Sequence, residues 1–253
     1  MRVRRRLLGR VINGLRHPER ARRYAQRLRR DAALRLRHRG DHIGYYRAVV
    51  ADDLRRGQAT AVGNSERRAW RRIGRLQFDY LKAHGLQPQH RMLEIGCGNL
   101  RAGWRFIDYL DAGNYYGVDI SAEVIIAAQR TIVARELTGK SPYLTIVDDM
   151  RFAFLPERSF DVIHAHSVFS HCPLPVIEEC FANVGRLMKP DAFFDFTFYR
   201  TTGAEYGRLR EEFHYRAETL IAAAQRHGFG ARLMDDWEGQ HVQSKLRLTR
   251  TLG

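Results

Sequence analysis

Past residue 88 the chain alternates short apolar runs with longer amphipathic segments. The runs are Arg91–Ile95 (RMLEI), Tyr115–Asp119 (YYGVD), Tyr143–Val147 (YLTIV), Phe160–Ala165 (FDVIHA), Ala192–Phe198 (AFFDFTF), Ala231–Met234 and Lys245–Thr249. Helical spacing fills the gaps at Arg101–Leu110, Ala122–Leu137, Pro175–Met188 and Arg216–His227. Apolar runs of strand length alternating with helices predict an α/β fold, a mostly parallel sheet covered on both faces. Ser121 stands where the second of these helices needs a cap.

Upstream the pattern is helical only. Asp41–Arg56 reads as a helix capped by Asp41, and GQATAVGN as a loop. Ser65–His84 reads as a helix capped by Ser65 and stopped by Gly85, with an apolar stripe through Trp70, Ile73, Leu76, Tyr80 and Leu81. Before residue 41, Val3, Leu7, Leu8, Val11, Ile12 and Leu15 recur at helical spacing among arginines, and Pro18–Arg37 opens with a proline suited to a first helical turn. Three segments follow: an Arg-rich helical arm at 1–40, a helical lid at 41–87, and a catalytic domain at 88–253.

Charge sharpens that division. The formal net charge is +15, yet residues 1–40 hold 15 Arg, no Lys and two acids (Glu19, Asp31), a net of +13, which leaves +2 for the rest. The basic balance therefore describes the arm and not the body. An anionic membrane surface, nucleic acid, or the protein's own body or a second copy would suit it; the apolar stripe at 3–15 favours membrane or packing over nucleic acid. Three cysteines (Cys97, Cys172, Cys180) without zinc or disulfide spacing point to a reducing compartment. With no signal-type apolar run and no stretch long enough to span a bilayer, the expected location is cytoplasmic, with peripheral contact at the inner membrane surface through the arm.

The chemistry concentrates at LEIGCGNL, residues 93–100. A strand ends in an acid, and glycines turn the chain into a helix. Bare backbone then lets a ligand press close, and the helix start offers N–H donors. Asp119 ends the second strand 23 residues after Gly96, where a carboxylate can accept both hydroxyls of a ribose. Asp148-Asp149 ends the third, where one carboxylate can accept from an adenine amino group while Met150 packs on the ring. Each acid alone suits a cap or a solvated loop; three at successive strand ends suit a nucleoside.

On these segments, with LPERSFDVIHAHSVFSH and GRLMKPDAFFDFTF, the stretch from Leu86 to Thr249 resembles the class I S-adenosylmethionine-dependent methyltransferases, and GCGNLRAG resembles a subgroup with GCGxLRxG. The resemblance implies a Rossmann-like, doubly wound, seven-stranded sheet whose last strand, Lys245–Thr249, runs antiparallel, with S-adenosylmethionine as cofactor. It implies that Glu94, Gly96, Cys97 and Gly98 line the methionine part, Asp119 and Ile120 the ribose, and Asp149 and Met150 the adenine. His166 and Ser167 would face the sulfur. Two departures stand out: Leu100 replaces a third glycine, and Pro190-Asp191-Ala192 replaces Pro-Gly-Gly. HAHS at 164–167 differs from the signature used on exocyclic amines of nucleic-acid bases, which lowers the RNA reading.

An alcohol acceptor needs a base. His171 is the first candidate and His166 the second; His171 equally suits a cap or rim position. Tyr45, Tyr46, Trp70 and Arg71 on the lid helices, and Tyr199 after the fifth strand, are candidate acceptor contacts, although such aromatics also suit a core. The expected reaction is O-methylation of a small molecule, saccharide or lipid-linked intermediate. RNA methylation, or cofactor binding without turnover, are the alternatives.

Overall fold

The computed structural model describes residues 18–55, 67–208 and 212–251. The basic helix expected over Val3–Leu15, the loop at 57–64 and the Ser65 cap lie outside the described residues. The chain divides into two units, Met1–Asp41 and His42–Gly253. The first contains helix α1 (Pro18–Arg37). The second opens with α2 (His42–Arg55) and α3 (Arg67–Ala83), which fall within the two helices expected at 41–56 and 65–84.

Strands β1 (Met92–Ile95), β2 (Tyr115–Asp119), β3 (Tyr143–Ile146), β4 (Phe160–Ala165) and β5 (Met188–Arg200) follow, interleaved with α4 (Gly103–Tyr109), α5 (Ala122–Ala134) and α6 (Leu174–Val184). Then come β6 (Tyr206–Arg208), β7 (Glu212–Tyr215), α7 (Ala217–Arg226), β8 (Phe229–Leu233) and β9 (Ser244–Arg250). Strands β3-β2-β1-β4-β5 pair in that order and in parallel. β9 runs antiparallel beside β5, and β8 pairs with β9. This is the expected Rossmann-like seven-strand frame with its final strand reversed.

Two features differ from the sequence-based expectation. The strand expected at Ala192–Phe198 extends to Met188–Arg200. Phe160 faces Met188 while Val162 faces Phe193, so β5 advances five residues where β4 advances two. Pro190, which cannot donate to a ladder, falls in that bulge. The β6–β7 hairpin was not expected at all; β7 lies parallel to the end of β5, with Tyr199 opposite His214.

Both faces of the sheet are buried. Leu93 and Ile95 of β1 join one core with Phe169, Phe181, Phe194, Phe196 and Phe198, whereas Met92 joins the other with Leu81, Phe106 and Trp237. That alternation is the two-residue period of a strand, and covering on both sides explains why β1 reads as continuous apolar sequence. The Ser121 side chain accepts the Val124 N–H at 3.4 Å and starts α5, as its position predicts.

Candidate active site

The turn after β1 takes its shape from its residues. Gly96 has φ +68°, and a Cβ there would stand 2.4 Å from Val168 Cγ2. Gly98 has φ +57° and open space where a Cβ would be. Both needs are met only by glycine at low cost. Leu100, in the place of the third glycine, also has a positive φ, +64°, and its side chain is fully buried.

A cavity of about 390 Å³ opens over this turn. That volume is in the range of small-molecule sites. Its walls take Glu94, Gly96, Cys97, Gly98, Asp119, Ile120, Met150, His166, Ser167, His171, Tyr46 and Tyr199 from the sequence-predicted set. Asp119 is held in place: Oδ2 accepts the Gly98 N–H at 3.0 Å and Oδ1 the Ser121 N–H at 3.1 Å. Burial pushes its carboxyl above the usual range, against the pull of those two N–H groups. Glu94 is buried, accepts the Tyr115 hydroxyl, and is raised by burial to about 7, against the opposing effects of that hydroxyl and of Arg101.

Four predicted residues do not border the cavity. Asp149 instead accepts the Arg151 N–H at 2.9 Å. Tyr45 is buried, about 100° round α2 from the cavity-lining Tyr46. Trp70 acts one step back, donating to Asn99 Oδ1 at 3.1 Å, and the Arg71 side chain is exposed.

The far side of the cavity is built from distant segments. Ser167 has φ +59°; its N–H donates to Thr197 Oγ1 at 2.8 Å and its hydroxyl to Gln243 Oε1 at 3.1 Å. Thr197 Oγ1 donates to the same Gln243 oxygen at 2.7 Å. His166 is buried, and neither ring nitrogen has a hydrogen-bond partner among the described residues. Burial, reinforced by Arg101, drives its pKa well below the ordinary value, so it is a neutral imidazole. His171 stacks on Tyr46 with centroids 5.2 Å apart, and its backbone carbonyl accepts from His42 Nε2 at 2.7 Å.

Sequence reasoning missed several lining or supporting groups. Arg47 donates from Nε to the Ile120 carbonyl at 2.7 Å and from Nη2 to the Val147 carbonyl at 3.0 Å, and it pairs with Asp148, fastening α2 over the tips of β2 and β3. Arg101 lies in the GCGNLRAG run itself and lines the cavity, as do His42, Gln77, Glu212 and Gln243. Only Arg101 had a signal in the sequence, its place just after the glycine turn; Glu212 and Gln243 arrive by tertiary folding.

Residues 93–194 match a family described as a methyltransferase domain. Among solved structures, the magnesium protoporphyrin IX methyltransferase of Synechocystis PCC 6803 with bound S-adenosylmethionine is similar, at 16% identity over 82% of this chain and 94% of that one (TM-score 0.60). DhpI in complex with S-adenosylhomocysteine shares 14% identity over 84% and 97% (TM-score 0.57). The 4+2 cyclase SpnF shares 16% identity over 71% and 82% (TM-score 0.56). At such identities the likeness is one of fold, and the cyclase marks how widely the fold is used.

Proposed function

We propose, for a chain whose residues 93–194 match a methyltransferase domain, that it methylates an oxygen of a small molecule, saccharide or lipid-linked intermediate using S-adenosylmethionine. The observation that carries this reading is that Glu94, next to the end of β1, and Asp119, at the end of the adjacent β2, both line one cavity with the Gly96–Gly98 turn.

The residues present fit that cofactor. Bare backbone at Gly98 leaves room for the ligand, Asp119 retains acceptor capacity for ribose hydroxyls, and Ile120, Val147 and Met150 offer an apolar wall for the ring. When bound, the cofactor supplies a methyl group on a sulfonium, already activated for displacement, so that positioning and exclusion of water supply much of the rate. The chain's part is to orient the acceptor and take its proton. His171 is the proposed base, taking the hydroxyl proton on a ring nitrogen, with Tyr46 against its face and His42 fixing its backbone. His166 is buried, and burial drives its pKa well below the ordinary value, so it is neutral.

The arm is proposed to rest on an anionic membrane surface, since α1 carries eight arginines against Glu19 and Asp31. No helix among the described residues is long and apolar enough to cross a membrane. A screen with tritiated-methyl S-adenosylmethionine against small-molecule, glycan, lipid and RNA extracts tests the reading. Label in the small-molecule, glycan or lipid fraction supports it; label confined to RNA, or absent throughout, contradicts it.

A further inference from the structure

We propose that the outward face of α3, with Arg105 and Arg135 beside it, is a docking surface for an anionic phospholipid bilayer, separate from the arm.

Helical spacing builds the face. Arg68, Arg71, Arg72 and Arg75 are all exposed. At about 100° per residue they fall within roughly 100° of arc, with the buried Gln77 on the opposite side. α3 holds five arginines and Lys82 against Asp79, a net of +5, where residues 41–253 together carry +2. The positive charge of the body is therefore concentrated on this helix, and the remainder is slightly acidic. Arg75 pairs with Asp79 at 3.1 Å; among the described residues no acid pairs with Arg68, Arg71 or Arg72.

Neighbouring elements add cations. Arg105 of α4 passes over Gly74, where a Cβ would stand 3.1 Å from its Nη1, and its Nη2 lies 3.5 Å from the Arg71 carbonyl oxygen. The guanidinium carbons of Arg105 and Arg135 lie 4.2 Å and 3.5 Å from the Trp104 ring centroid, so one indole holds both. Burial lowers the pKa of Arg105, and Arg135, Arg75 and Arg71 lower it further against the pull of Asp79; burial and Arg71 act on Arg135 in the same direction. Asp108 and Glu136 border the pocket beside Trp104. Like charges held this close repel, and a partner that brings negative charge relieves the repulsion.

The form of the partner follows from the face. Phosphate oxygens suit the planar fork of arginine. Single-stranded nucleic acid is bound with exposed rings on which bases stack; no aromatic of α3 or α4 is exposed, and Trp104 is engaged by two guanidiniums. A convex helix face that presents cations alone fits a plane of lipid phosphates. α3 borders the cavity through Gln77, so a bilayer against the stripe lies one helix diameter, about 10 Å, from the site, which suits an acceptor carried on a lipid.

Sedimentation of the full chain with phosphatidylcholine vesicles, with and without phosphatidylglycerol, tests this. Wild type is compared with a variant carrying Arg68→Gln, Arg71→Gln, Arg72→Gln and Arg75→Gln. The arm is intact in both, so the difference reads the face. Wild type should bind the anionic vesicles alone, less so as salt rises, and the variant should bind them about tenfold more weakly or worse. Equal partition of the two proteins, or no preference of wild type for anionic vesicles, would overturn the proposal. So would a variant that loses affinity for an RNA hairpin while its vesicle binding stays unchanged, the sign of a nucleic-acid face. Should the combined variant fail to fold, Arg71→Glu alone is expected to weaken vesicle binding several-fold, and unchanged binding would overturn the proposal equally. No methyl donor is present, so these results are independent of the methyl-transfer reading.

Discussion

The hydroxyl of Tyr115, on β2, donates to the buried carboxylate of Glu94, on β1. The contact leaves no spare room. A Cβ on Gly103, at the start of α4, would stand 2.5 Å from the Tyr115 oxygen and 2.9 Å from Glu94 Oε2. The last glycine of GCGNLRAG is thus explained by packing: it lets α4 lie directly on the bond that orients Glu94.

Glu94 ties stability to pH. Burial raises it from 4.5 to about 7. The folded state then holds a proton that the unfolded state has lost between those values, so stability falls as pH rises from about 4.5 to 7 and is level above that. At about 1.4 kcal/mol for each pH unit, wild type should lose up to about 3 kcal/mol relative to Glu94→Gln across that window. Urea midpoints at pH 4.5, 6 and 8 check this; a gap that does not change with pH would contradict it.

Lys245 predicts the opposite slope. Its side chain is fully buried, with Nζ 4.3 Å from the Tyr80 ring centroid and 4.2 Å from that of Trp237, and burial lowers it from 10.5 to about 8. Between about 8 and 10.5 the unfolded state holds the proton that the folded state lacks, so stability rises with pH there. Relative to Lys245→Met, wild type should gain up to about 3 kcal/mol over that window, measured by the same denaturation series.

Leu100 should resist replacement by the glycine common at its position. Relief of the left-handed backbone is worth about 1 kcal/mol, while deleting a fully buried leucine side chain costs about 2–5 kcal/mol. Leu100→Gly should therefore destabilise by about 1–4 kcal/mol, read from the chemical denaturation midpoint. A stabilised variant would show that strain outweighs burial.

Arg47 should matter for ligand more than for fold. Its ion pair with Asp148 is exposed, and such pairs contribute about 0–1 kcal/mol. Its bonds to the carbonyls of Ile120 and Val147 close α2 over the cavity rim. Arg47→Ala should weaken S-adenosylhomocysteine binding several-fold with little change in the melting midpoint; equal affinity would remove the clamp from the account.

The alternation of apolar runs with helices made the seven-strand frame legible, because a strand buried on both faces must read as continuous apolar sequence. The acids and glycines that border the cavity from β1 and β2 were legible for a related reason: they sit at strand ends, where chain position fixes spatial position. Asp149 shows the limit. Two adjacent acids cannot be told apart by sequence, and the second is turned to the Arg151 N–H. The β6–β7 hairpin, Glu212 and Gln243 were illegible because their place depends on pairing with β5 and on the Thr197 contact, neither of which leaves a local pattern. Tyr45 and Tyr46 differ only by a rotation around α2, which puts one in the core and the other at the cavity.

The central claim is that a nucleoside sits against the glycine turn with its ribose on Asp119. Calorimetric titration of S-adenosylmethionine into wild type and Asp119→Ala tests it most directly. Saturable binding to wild type, weakened tenfold or more in the variant, is the predicted result. No binding to wild type, or undiminished affinity in the variant, would contradict it.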